Sequence, residues 1–379
     1  MRSGTAHLPL HTGRAPAWLF SRMVLLAREI TAHIVAEYGS DEVLRRLADP
    51  YWFQAFGCVL GFDWHSSGVT TTVTGAMKEA LRGREHELGV YAGGGKGAVS
   101  RRTPSEITSY CDRLSIDPAP LVYASRMSAK VDSAAVQDGY QLYHHAFFFT
   151  PSGDWCVVQQ GMNGDNRMAR RYHWLSKTIS SFVNEPHAAV CADASVPTFN
   201  LVADESAGVR SRSAELAREQ PRVVLSAIRE LPLLSMPRRH AVLLSDVNPQ
   251  HLERVLLKTY ESAPRDFESL IGLQGVGSRT VRALALVSEV IYGTPASTRD
   301  PARFSFALGG KDGTPFPVDR DAYDKTIEVL HAAVNRANID RSERVKALKR
   351  LVAYGKARVT RRLDEAAAAS QERNRSSGE

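Results

Sequence analysis

Residues 270–280, LIGLQGVGSRT, place two glycines around one valine, between segments whose apolar residues recur at helical spacing. Gly275 and Gly277 allow the backbone to turn sharply, and Val276 between them can insert its side chain between two helices. Residues 280–287 continue with apolar side chains on one helix face. The stretch therefore predicts two helices joined by a tight turn.

The start of the second helix, near Ser278, favours contact with an anion. A helix N-terminus presents unpaired N–H groups and a partial positive charge, and arginines follow at positions 279 and 282. These groups suit a non-esterified oxygen of a backbone phosphate. The alternative is a turn that serves packing alone. The residues predicted to contact DNA are Gly275, Val276, Gly277, Ser278, Arg279, Thr280 and Arg282.

With these residues, the segment resembles the helix-hairpin-helix motif of DNA repair and recombination proteins. The resemblance implies binding to a DNA backbone phosphate without regard to base sequence. It indicates what the protein contacts, and not which reaction it performs.

The composition predicts a cytoplasmic protein in a reduced state that does not enter a membrane. The chain has 379 residues, no apolar run near the ~20 residues that cross a bilayer, and four cysteines without a Cys-x-x-Cys pair. Six of its seven net positive charges fall in residues 341–379, which hold eleven Lys or Arg and five Asp or Glu. Such a cluster adds salt-sensitive attraction to phosphates, or it forms a solvated helix face. The oligomeric state stays open.

The pattern of elements predicts an α+β fold in three parts. Residues 1–205 form a mixed α/β domain, in which residues 140–150 and 155–162 make a β-hairpin whose first strand is buried on both faces. Residues 206–362 form an all-helical domain that contains the tight turn. Residues 363–379 cannot bury enough apolar surface to become ordered and are expected to be a disordered tail.

Two loops of the first part are predicted to hold phosphate. Residues 61–72 bring hydroxyls and a histidine to a helix N-terminus, although one of these serines can equally be an ordinary N-cap. Residues 91–97, YAGGGKG, contain three successive glycines whose amides can converge beside a lysine, and a flexible turn is the alternative. The helix that follows begins at a predicted capping box, residues 103–106 (TPSE). The phosphate-binding candidates are His65, Ser66, Ser67, Gly94, Gly95 and Lys96.

A cluster of polar residues around the predicted β-hairpin could hydrolyse a phosphodiester. Asp132, Asp138 and His144, together with nearby glutamines, would converge on a buried sheet. Such groups can hold Mg²⁺ or Mn²⁺, which would activate water and stabilise the leaving oxygen. The spacing common in nucleases, an acid followed by Glu-x-Lys, is not met, and a single inward histidine is more often a hydrogen-bonded core residue. Further on, residues 170–174, RRYHW, alternate cations and aromatics that could grip a nucleic-acid strand.

A second candidate for catalysis lies at residues 316–323, FPVDRDAY, which resemble the Pro-Val-Asp segment of helix-hairpin-helix base-excision glycosylases. The resemblance implies that Asp319 stabilises an oxocarbenium ion or activates water. Two features depart from those enzymes. Asp319 follows Gly277 by 42 residues, which is a longer interval, and Arg279 stands where lyase-type members carry a lysine that forms a Schiff base. The alternative is an aspartate that caps a helix.

The chain as a whole is similar to a prokaryotic family described as domain of unknown function 763. The resemblance extends to about residue 355 and implies no activity. It rests on residues 11–16 (HTGRAP), 61–71 (GFDWHSSGVTT), 309–313 (GGKDG) and 317–319 (PVD).

The sequence thus predicts a DNA-binding protein that processes DNA in repair or recombination. The first hypothesis is a metal-dependent nuclease that uses Asp132, Asp138 and His144. The alternatives are a glycosylase-like enzyme that uses Asp319, and a non-catalytic DNA-binding adaptor.

Overall fold

The computed structural model describes residues 15–62, 68–164, 168–192, 197–230, 249–302 and 320–353. The strands are β1 (Tyr91–Lys96), β2 (Val136–Gln137), β3 (Gln141–Phe149), β4 (Trp155–Met162), β5 (Ala169–Leu175), β6 (Ala189–Cys191) and β7 (Phe199–Asn200). Five of them form an antiparallel sheet in the order β1-β3-β4-β5-β6, and β2 pairs with β7 in a separate two-stranded sheet.

Helices account for most of the remaining described chain, and residues 341–353 are helical as well. None of the described helices is both long and apolar enough to cross a membrane. Helices with a central antiparallel sheet confirm the predicted α+β class. The helices are α1 (Ala17–Tyr38), α2 (Ser40–Ala48), α3 (Pro50–Leu60), α4 (Gly68–Leu81), α5 (Glu85–Leu88), α6 (Thr103–Leu114), α7 (Ala119–Ala134), α8 (Ala207–Leu216), α9 (Pro221–Glu230), α10 (Pro249–Ser262), α11 (Phe267–Gly272), α12 (Ser278–Tyr292) and α13 (Arg320–Arg336).

Strands β3 and β4 form the predicted β-hairpin. Side chains of a strand alternate between its two faces, so Phe147 and Phe149 enter one apolar core while Ala146 and Phe148 enter the other. Gly153, at φ +88°, lies in the turn that connects the strands. The prediction of a first strand buried on both faces is confirmed.

Two layers of helices cover the sheet. Helices α1 to α4 and α13 pack on one face, around a core that joins Phe53 to Leu330 and Leu351. Helices α6 and α7 cover the other face, and the α8 to α12 group packs behind α7. Both cores combine residues from before and after position 205. The division at residues 205 and 362 stays a prediction.

The glycine-rich stretch before α6 is a strand and not a loop. β1 pairs with β3 with Gly94 opposite Ala146, and it leads into a short 3₁₀ helix, Gly97–Arg102. The predicted capping box at the start of α6 is wrong, because Arg102 occupies the N-cap and no side chain caps the helix. The carboxylate of Glu106 instead accepts a hydrogen bond from the Gly94 N–H (2.6 Å) and another from Lys78 Nζ (2.9 Å).

Candidate nucleic-acid interface

Helices α11 and α12 are joined by residues 273–277, which we call the α11–α12 turn. Asp266 starts α11 with a capping box: its carboxylate accepts from the Ser269 N–H (2.8 Å), and its own N–H donates to Ser269 Oγ (3.1 Å). Gly275 adopts φ +95°, which favours glycine, and Val276 is only 1 % exposed in the core beside it. The two helices and the tight turn between them are therefore present as predicted, while the DNA contact stays a prediction.

The first turn of α12 is accessible from outside the protein. Gly277 is its N-cap, and no described side chain caps the helix; the first amides also have no acceptor within the helix. A Cβ built on Gly277 would meet no described atom within 4 Å. Gly275 and Arg279 are exposed, and Ser278 is partly exposed. A group of the size of a phosphate can approach this backbone.

A cleft of about 640 Å³ lies beside the start of α12. Arg279 and Arg282 line it from α12, and Gln137 and Tyr140 line it from the opposite side. Arg279 forms no ion pair with a described residue. Arg282 is half-buried, and its Nε donates to Gln137 Oε1 at 2.6 Å. Hence Arg279 is the cation of the cleft that is available to a ligand.

Gln137 fixes the position of the α12 start. Its Nε2 donates to the Ser278 carbonyl at 2.9 Å while its Oε1 accepts from Arg282. The sequence analysis did not identify Gln137, because its partners lie more than 140 residues further along the chain and no local pattern marks it.

The seven residues predicted to contact DNA therefore differ in what they can offer. Gly275, Gly277 and Ser278 present backbone at or near the surface, and Arg279 presents its charge. The side chains of Val276 and Thr280 are buried and contribute to packing. The remaining member, Arg282, is engaged with Gln137.

Asp132, one of the predicted catalytic acids, lies near the end of α7 and is fully buried. Its carboxylate accepts from Gln159 Nε2 (2.6 Å), from Trp174 Nε1 (2.9 Å) and from His187 Nε2 (2.5 Å). Gln159 continues the chain of hydrogen bonds to His145 Nδ1 at 2.7 Å. The predicted neighbours Asp132 and Gln159 are thus in contact, and His187 is a partner that the sequence analysis missed.

Asp138 belongs to a separate group of hydrogen bonds. It accepts from Arg170 Nη1 (3.0 Å), from the Tyr172 hydroxyl (2.6 Å) and from the Tyr140 N–H (3.0 Å), and Arg170 also forms a bidentate pair with Asp300 at 2.9 Å. Within the described residues, no cluster of three or more His, Cys, Asp or Glu could hold a metal ion. The predicted Mg²⁺ or Mn²⁺ site gains no support from this part of the chain.

His144 lies on the opposite face of the sheet from Asp132. Its Nε2 is 2.9 Å from Thr74 Oγ1, and burial, followed by the charges of His145 and Lys96, lowers the pKa of His144 to about 3. Alternation along the strand predicts that one of these two successive histidines points inward and the other outward. Both are buried, because helices cover both faces of the sheet. Asp132, Asp138 and His144 therefore do not converge on one pocket.

The remaining predicted residues lie elsewhere. Gly94, Gly95 and Lys96 belong to β1; the Gly94 amide is bonded to Glu106, and Lys96 Nζ lies 5.8 Å from the centre of the Tyr143 ring. Residues 170–174 are buried in β5. They therefore do not offer the nucleic-acid-binding surface that the sequence predicts. His65, Ser66, Ser67 and Asp319 lie outside the described residues.

Comparison with family models found one match, a family described as protein of unknown function (DUF763), over residues 4–318. No curated protein matches the chain. No solved structure matches it either.

Proposed function

The chain belongs to the DUF763 family of proteins of unknown function, so we infer its function from its own structure. We propose that it binds the phosphate backbone of DNA through the α11–α12 turn. We place it among the DNA-processing proteins of repair or recombination. The observation that carries the proposal is the uncapped start of α12, open at Gly277 and adjoining the cleft that Arg279 lines.

The first amides of α12 have no acceptor within the helix. At the start of α11, the Ser269 N–H donates to the side chain of the N-cap Asp266. At the start of α12, no described side chain accepts from the first amides, and these amides lie at the positive end of a helix of 15 residues. A phosphate oxygen supplies the missing acceptor, and Arg279 supplies a charge beside it. Because a phosphate is the same under every base, such binding is independent of sequence.

Two cations of the basic segment at residues 341–379 are engaged within the protein. Arg350 Nη1 donates to the Val59 carbonyl at 2.8 Å, and Lys346 pairs with Glu343 at 3.1 Å. These two cations thus have partners within the protein, and residues 354–379 lie outside the described part of the chain. The α12 start remains the argument for DNA binding.

The proposal is tested by Gly277→Ala. Its added Cβ would meet no described atom within 4 Å, so we expect an unchanged fold. Because the Cβ would stand where the phosphate approaches, we expect the Kd for duplex DNA to rise about tenfold or more, which is a loss of roughly 1.4 kcal/mol of binding free energy. Fluorescence anisotropy with several unrelated duplexes measures the affinity, and thermal unfolding checks the fold.

Gly272→Ala is the matched control. It places a Cβ on the same helix pair, 3.8 Å from Met127 Sδ, which is an ordinary contact away from the α12 amides. We expect it to bind as the wild type does. Equal affinity of Gly277→Ala and the wild type would contradict the proposal, and so would equal weakening by both substitutions.

A further inference from the structure

A second cavity, of about 240 Å³, opens where α7 meets β3. Ser125 and His145 line it together, and their side chains are joined, with Ser125 Oγ 2.9 Å from His145 Nε2. Both residues are largely buried, and both belong to the lining of this cavity.

The hydrogen bonds around His145 determine where its proton lies. The Asp132 carboxylate accepts at one oxygen from both Trp174 Nε1, which can only donate, and Gln159 Nε2. Because the NH₂ group of Gln159 is directed at Asp132, the amide oxygen of Gln159 faces His145. His145 Nδ1 therefore carries the proton that it donates to Gln159. Its Nε2 is left with a lone pair, which accepts the Ser125 hydroxyl proton.

This order of donors is that of an activated nucleophile. A hydroxyl that donates to a neutral imidazole can pass its proton to that imidazole as the hydroxyl oxygen attacks a substrate. The imidazole is held in position by a group hydrogen-bonded to its other nitrogen. Here Gln159 orients His145, and the Asp132 carboxylate holds Gln159 at 2.6 Å. Burial lowers the pKa of His145, which keeps its ring neutral and able to accept the proton.

The rim of the cavity indicates the class of substrate. Arg101 and Arg126 line it, both are exposed, and neither forms an ion pair with a described residue. Tyr143, also in the lining, lies under Lys96, whose Nζ is 5.8 Å from the ring centre. Unpaired guanidinium groups match the charge and the geometry of a phosphate.

We propose that Ser125 and His145 form a nucleophile–base pair that hydrolyses a phosphate ester bound in this cavity. Ser125 Oγ forms a bond to phosphorus as the bond from phosphorus to the leaving alcohol breaks, and the serine proton passes through His145 Nε2 to the leaving oxygen. Water then attacks the phosphoserine, giving its proton through His145 back to Ser125 Oγ, and phosphate or a phosphate monoester leaves. Arg101 and Arg126 bind the phosphoryl oxygens.

A fluorophosphonate probe tests the nucleophile on the intact protein. We expect one adduct on the wild-type chain, in the tryptic peptide of residues 114–126 and at Ser125 by fragmentation. His145→Gln should lower the labelling rate at least 100-fold, about the contribution of a general base. The matched control is Ser128→Ala, because the Ser128 hydroxyl lies one turn along α7 and donates to the Ser125 carbonyl at 3.2 Å without contacting His145. It should be labelled as the wild type is.

Wild-type labelling requires no substitution, so an unfolded variant cannot decide the outcome. No adduct at Ser125, or an unchanged rate in a folded His145→Gln protein, overturns the nucleophile–base pair. Hydrolysis of p-nitrophenyl phosphate or bis(p-nitrophenyl) phosphate, lost in Ser125→Ala and kept in Ser128→Ala, supports the substrate class. Hydrolysis of p-nitrophenyl acetate alone, or of none of the three esters, overturns it. Labelling is measured without DNA, so failure of DNA binding is distinguished from failure of this proposal.

Discussion

Two glycine-rich stretches of this chain invite the same interpretation and have different structures. Residues 91–97 and residues 273–277 each combine closely spaced glycines with a nearby cation, and each is predicted to offer amides to phosphate. In β1, the Gly94 N–H already donates to the Glu106 carboxylate at 2.6 Å. At the start of α12, no described side chain accepts from the amides. The two stretches therefore differ in whether their amides already have an acceptor, and not in their glycines.

The glycines themselves are required for different reasons. Gly94 adopts φ +87°, and a Cβ there would lie 2.2 Å from the His145 carbonyl oxygen and 2.7 Å from Thr103 Oγ1. Gly277 has an extended backbone that any residue can adopt, and open space surrounds its Cβ position. The first glycine is needed for the close approach of β1 to β3. Among the described residues, nothing in the packing requires the second.

Gly94→Ala should therefore be the most damaging substitution in either stretch. The clash with a backbone carbonyl and the positive φ act together, and we expect the free energy of unfolding to fall by about 3 kcal/mol or more. Urea unfolding of the variant and the wild type measures the change. Gly277→Ala provides the comparison, and its unfolding free energy should stay within about 0.5 kcal/mol of the wild type. Equal stability of the two variants would contradict the assignment of Gly94 to packing.

The burial of His144 in β3 makes the sheet sensitive to acid. Lys96 lies opposite His144 in the β1–β3 register, and the pKa of His144 falls from 6.5 to about 3, with burial as the main cause. The unfolded chain takes up this proton near pH 6.5 and the folded chain does not. Stability from neutral His144 is thus complete above pH 6.5 and is lost as the pH falls toward 3. At pH 5 the loss is about 2 kcal/mol.

His144→Gln tests this pH dependence, because glutamine does not titrate and its amide can still bond to Thr74. Between pH 7 and pH 5, the unfolding free energy of the variant should fall by about 2 kcal/mol less than that of the wild type. Urea unfolding at the two pH values measures the difference. The same fall in both proteins would mean that His144 is not held neutral by the fold.

The two stretches also show what can be predicted from this sequence. The α11–α12 turn and the β3–β4 hairpin depend on short-range patterns, namely apolar spacing and glycines in turns, and both are present in the structure. The strand β1 was not predicted, because three glycines oppose strand formation locally. Its pairing with β3, which begins 45 residues after the end of β1, overrides that preference.

Long-range contacts account for the other differences. His187 reaches Asp132 across 55 residues, and Gln137 reaches Ser278 across 141. Side-chain alternation correctly separated His144 from His145, but only the tertiary arrangement shows that both faces of the sheet are covered. Ser125 had no motif at all, because a serine in the middle of a helix becomes a candidate nucleophile only when His145 packs on it.

The smallest change is expected from Arg279→Ala, and it separates a specific phosphate contact from general attraction to a basic protein. Arg279 is exposed, so its loss should leave the unfolding free energy within about 0.5 kcal/mol of the wild type. If it contacts one phosphate, the slope of log K for duplex binding against log salt, measured between about 50 and 200 mM, should become shallower by about one.

Arg265→Ala is the matched control, since Arg265 is an exposed cation at the far end of α11. Equal change in both slopes would show diffuse charge attraction. Change in Arg279→Ala alone would place the phosphate at the α12 start and not at β1, where the Gly94 amide is already bonded to Glu106.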